Sequence, residues 1–79
     1  MEKEEAERLA RAIRKAPVDW IQVQEVEFDA AAGTYEVKCA YRQARRGLFH
    51  PESWTTLSIK SPRQWIDLLT KHRDDLELP

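Results

Sequence analysis

A chain of 79 residues with 42% apolar and 34% charged side chains has room for one domain and one core, and is too apolar for a disordered tail. Thirteen Lys/Arg against fourteen Asp/Glu leave a formal charge of −1, whereas dedicated nucleic-acid binders are usually basic overall. No apolar run approaches the ~20 residues of a membrane span, and the charged start Met1-Glu-Lys-Glu-Glu5 lacks the apolar stretch of a signal peptide.

Cys39 is the one cysteine, so no disulfide or thiolate zinc site can form within one chain. These features together predict a cytoplasmic protein. A domain this small buries only roughly 60–65% of the surface that its unfolded chain exposes, so its core has to be well packed.

Residues 3–16 read as an amphipathic helix. Ala6, Leu9, Ala10, Ile13 and Ala16 recur at three- and four-residue steps and form one apolar stripe. Acids at the start and Arg11, Arg14 and Lys15 near the end match the helix dipole. Glu4 with Arg8 and Glu7 with Arg11 have the spacing of i,i+4 ion pairs, and Pro17 ends the helix.

A first strand is predicted over Asp19–Phe28. Ile21 and Val23 share one parity and Val26 and Phe28 the other, so either an inserted residue near Gln24–Glu25, a β-bulge, keeps all four on one face, or the segment is two short strands with a break. Asp29-Ala-Ala-Ala-Gly33 makes the turn, with Gly33 suited to a positive φ. Thr34–Arg42 alternates cleanly, with Tyr35, Val37, Cys39 and Tyr41 on one face and Glu36, Lys38, Ala40 and Arg42 on the other.

A third strand is predicted over Trp54–Lys60. Ser61-Pro-Arg-Gln64 then opens a second helix, with Ser61 as N-cap, Pro62 at the first helical position and Gln64 completing a capping box. Trp65, Ile66, Leu68, Leu69 and His72 supply its apolar face to about Arg73, leaving 74–79 as a frayed tail. The order α-β-β-β-α predicts a single α+β domain over 1–79. Its architecture is a two-layer sandwich, an antiparallel three-stranded meander with both helices on one face and the other face open.

Between Lys38 and Arg63 the chain carries six Lys/Arg and a single acid, Glu52, and segregated charge can act on a partner. Aligning Phe28 with Tyr35 and Tyr41 with Thr55 places Trp20, Arg42 and Trp54 in a row on the open face, bordered by Lys38 and Lys60. Such a row reads either as a stacking platform for unpaired bases or as a shield or dimer interface, since Trp and Arg are enriched at protein contacts. The connection 43–53 is long for a hairpin and holds Arg45, Arg46 and Phe49, which read as a binding loop or as a cover for the core's end. Arg63 lies in the first turn of the second helix, where exposed N–H groups favour anions.

The element order is similar to that of the double-stranded RNA-binding domain. That family uses a Gly-Pro-x-His-type loop between its first two strands and a lysine cluster opening its second helix. The corresponding stretches here are Asp29–Thr34 and Ser61-Pro-Arg-Gln64, which match neither, so the likeness implies an architecture and no function.

Catalytic chemistry has little to stand on. Cys39 is expected in the core as an inert thiol, His50 and His72 share no short spacing, and Gly33 and Gly47 are too few for a phosphate loop. The expectation is a non-catalytic binding module with no cofactor, metal or small-molecule substrate. Its candidate contact residues are Trp20, Lys38, Arg42, Arg45, Arg46, Phe49, Trp54, Lys60 and Arg63. Protein interaction or self-association is favoured, and single-stranded nucleic acid is the alternative.

Overall fold

The structure is a computed structural model that describes residues 1–42 and 54–77, with the backbone alone over 73–77. Helix α1 (Lys3–Lys15) is followed by strands β1 (Ile21–Asp29), β2 (Thr34–Arg42) and β3 (Trp54–Ile59), then helix α2 (Pro62–Glu77). The strands form one antiparallel sheet in the order β1-β2-β3. The predicted α+β architecture with one open sheet face is therefore present.

The core follows from the two periodicities. α1 buries Ala6, Leu9, Ala10 and Ile13, and its alanines let the helix lie close to the sheet. Beneath it are Ile21, Val37, Cys39 and Ile59, of which Val37, Cys39 and Ile59 are the largest fully buried side chains. The β-bulge falls where the parity shift placed it: Val23 pairs with Cys39 and Glu25 with Lys38, leaving Gln24 unpaired. Ile21, Val23, Val26 and Phe28 consequently share the core side, although Phe28 at the sheet's end remains 52% exposed and meets Tyr35 at 5.1 Å between ring centroids.

Several boundaries and contacts differ from expectation. β1 starts at Ile21, because the chain bends through Asp19–Trp20 before the pleat begins. α2 runs through Glu77, into the stretch predicted to fray; no Gly or Pro interrupts 74–77, so nothing stops the helix earlier. Ile66 is 54% exposed, since Trp65, Leu68, Leu69 and His72 already fill the inward stripe and Ile66 lies about 100° round the helix from Trp65. Among the described residues, neither Glu4–Arg8 nor Glu7–Arg11 closes to an ion pair.

The N-terminus of α2 is capped by Ser61, whose Oγ accepts from Gln64 N–H at 3.2 Å. Gln64 does not complete the reciprocal box on Ser61. Its side chain reaches back to the end of β3 instead, accepting from Lys60 N–H at 2.9 Å and donating to Ser58 O at 3.0 Å. At the far end of β2, beyond its last β3 partner, Tyr35 N–H donates to Met1 O at 2.8 Å.

The β1–β2 turn is held by Asp29. Its Oδ1 accepts from Ala31 and Ala32 N–H at 3.0 and 3.3 Å, and its carbonyl accepts from Gly33 N–H at 2.8 Å. Gly33 has φ +70°, and a Cβ built there would meet nothing within 4 Å. Gly33→Ala therefore tests conformation alone, without a clash. Chemical denaturation is expected to show a loss of about 1 kcal/mol, the ordinary cost of placing an L-residue in the left-handed region.

Candidate functional site

The predicted row on the open face is half correct. Arg42 and Trp54 are cross-strand partners, and the Arg42 guanidinium lies 5.5 Å from the centre of the Trp54 ring. At exposed sites this geometry contributes ~0.5–1 kcal/mol. Asp19 Oδ2 holds the same guanidinium at 3.3 Å, and Trp54 is 39% exposed.

Trp20 does not join the row. Its backbone is in register, its carbonyl accepting from Arg42 N–H at 2.8 Å, but its side chain is only 7% exposed and belongs to the core. The indole stacks on His72 at 3.8 Å and 3°, meets Trp65 at 5.8 Å and stands edge-on to Tyr41 at 6.0 Å. His72 Nε2 lies 2.8 Å from the Tyr41 hydroxyl. Period-2 alternation starts only at Ile21, one residue after Trp20, and the bend at Asp19–Trp20 turns the ring under α2. The sequence signal was on α2: Trp65 and His72, seven residues apart, mark an aromatic inward stripe in need of a partner.

The charge on the open face is mixed. Across from the β2 cations, β1 presents Glu25, paired with Lys38, and Glu27, paired with Glu36. Lys38 Nζ is 4.0 Å from Glu27 Oε2. Lys60 is exposed just beyond β3. Arg63 is bound by Asp67 one helical turn on, at 3.3 Å, so the helix start does not present a free guanidinium. Arg45, Arg46 and Phe49, with the rest of 43–53, lie outside the described residues.

Among the described residues, no three His, Cys, Asp or Glu side chains gather to hold a metal ion. None of the described helices is long and apolar enough to cross a membrane. No protein-family model, curated protein or solved structure matches the chain.

Cys39 is buried in the central strand. Burial pushes its thiol up to about 11, against a smaller lowering by Arg14. Since the thiolate is the nucleophile, the folded protein should resist thiol reagents near pH 8 and react once denatured. The folded value lies above the unfolded one of 9.0, so the unfolded chain ionises first as pH rises. Stability is expected to hold below pH 9 and to fall between about pH 9 and 11, and Cys39→Ala removes that slope in denaturation series.

The two tryptophans separate in the same assay. Trp20→Ala is expected to cost about 3–5 kcal/mol, as for large aromatic deletions in cores. Trp54→Ala should cost about 1 kcal/mol or less, its main loss being the contact with Arg42.

Proposed function

We propose that this chain is a small, non-catalytic binding module of the cytoplasm that engages another protein, or a second copy of itself, through the open sheet face. The observation that carries the reading is the Arg42–Trp54 pair, an arginine 5.5 Å from a half-exposed indole on the face that neither helix covers. Arg and Trp are the side chains most enriched at energetically dominant interface positions. Mixed charges beside them, Lys38 and Lys60 with Glu25, Glu27 and Glu36, suit the polar rim of a protein contact.

A phosphate backbone would be less welcome here. Lys38, Arg42 and Arg63 each have a carboxylate within 4.0 Å, and the three glutamates on the face would repel it. Single-stranded nucleic acid is therefore the lesser reading.

Labelled single-stranded RNA and DNA, titrated at low and moderate salt, should show no retention that depends on Trp54. Steeply salt-dependent binding lost in Trp54→Ala would replace the protein reading with the nucleic-acid one. With a captured protein partner, Trp54→Ala and Arg42→Glu should each weaken binding by about tenfold or more, while Lys71→Ala on α2 leaves it unchanged.

A further inference from the structure

The two edges of the sheet are built differently. β1 is broken by the bulge at Gln24 and carries Glu25 and Glu27, devices that discourage another strand from pairing. β3 reads Trp-Thr-Thr-Leu-Ser-Ile over Trp54–Ile59, without a charge, a proline, a glycine or a bulge.

Which β3 peptide groups face outward follows from one hydrogen bond. Arg42 N–H donates to Trp20 O on the β1 side, so by strand alternation Ala40 and Lys38 also point to β1. Their partners Trp54, Thr56 and Ser58 therefore turn their N–H and C=O groups away from β2. The bonds of Gln64 to Ser58 O and Lys60 N–H fit this, since the side-chain amide occupies the end of the outward edge like a piece of a neighbouring strand. Among the described residues, no turn, loop or side-chain hydrogen bond reaches the Thr56 peptide groups.

We propose that the outer edge of β3 pairs antiparallel with the same edge of a second copy of this chain, about a two-fold axis at Thr56. In this register the two Thr56 residues exchange N–H···O bonds and Trp54 of each copy faces the small Ser58 of the other; Ser58 N–H donates to that Trp54 carbonyl, while Ser58 O keeps its bond from Gln64. Thr55 faces Leu57. Thr–Thr neighbours are favourable across strands, and no like charges meet anywhere along Trp54–Ile59. Gln64 fixes the register, because a slip that recruited Lys60 would have to displace it. Of the exposed large hydrophobics among the described residues, Phe28, Trp54 and Ile66, two lie on β3 and the helix that follows it.

The pairing goes beyond the proposed function, because it uses in-plane peptide groups of β3 and not the side chains of the open face. Analytical ultracentrifugation from micromolar to millimolar protein tests it. The wild-type mass is expected to rise from 9.3 kDa towards twice that value. Thr56→Pro removes an N–H that points away from β2, a position where edge strands tolerate proline, and should stay monomeric with an unchanged circular dichroism spectrum. Thr56→Lys, which sets two like charges on the axis, should do the same and keeps the test alive if the proline variant unfolds. Arg42→Glu should dimerise like wild type. A wild-type chain that stays monomeric at millimolar concentration overturns the pairing while leaving the open face available to another protein. A dimer that survives the Thr56 variants but is lost in Arg42→Glu overturns it too, and moves self-association to the face.

Discussion

One unpaired residue in β1, Gln24, decides which side chains every other element meets. Without it, a continuous pleat that buried Ile21 and Val23 would turn Val26 and Phe28 to the open face and drive Glu25 and Glu27 towards the core. Burying unpaired carboxylates costs several kcal/mol each, whereas the bulge forfeits a ladder hydrogen bond worth about 1 kcal/mol. The bulge wins by a wide margin. It also fixes the β1–β2 register on the far side of the bulge from the turn, where Trp20 O accepts from Arg42 N–H.

The same bulge sets the electrostatics of the open face. Glu25 and Glu27, expelled from the core side, stand next to Lys38. Along the chain, Lys38–Arg63 is a run of positive charge with one acid. Across the sheet, it borders the acids of β1 and the β2 residue Glu36. Cross-strand neighbours are ~5 Å apart, well within the distance at which charges offset one another, while residues separated by a turn in sequence can be far apart. Among the described residues, segregation of charge in the sequence thus does not become segregation on the sheet face.

What could be read from the sequence was whatever a period controls. The α1 stripe, the parity break in β1 and the alternation of β2 all rest on repeats of 3.6 or 2 residues, and all are present; the Arg42–Trp54 pairing rests instead on the alignment of Tyr41 with Thr55. Trp20 and Gln64 lie at junctions, where a period ends and tertiary contacts decide. Trp20 was assigned by extending a pleat into a bend, and the stack on His72 draws its ring inward. Gln64 was assigned to its own helix cap, yet the unpaired end of β3 offers it both a donor and an acceptor. A side-chain amide satisfies two edge groups there at once, against one N–H in the capping box.

That choice links the sheet face that neither helix covers with the outer edge of β3. Gln64 takes Ser58 O and Lys60 N–H at the end of the outer edge of β3, so the stretch it does not occupy runs from the Trp54 peptide groups, beside Arg42, to Ser58 N–H. Trp54 therefore belongs to both surfaces: its side chain lies on the open face and its peptide groups lie on the edge. In the proposed function its ring contacts the partner on the face, and in the proposed edge pair the same ring is set against Ser58. Arg42 and Thr56 are not shared in this way, one acting through its guanidinium over the face and the other through its backbone in the sheet plane. The geometry makes face and edge separable in function although they meet at a single tryptophan.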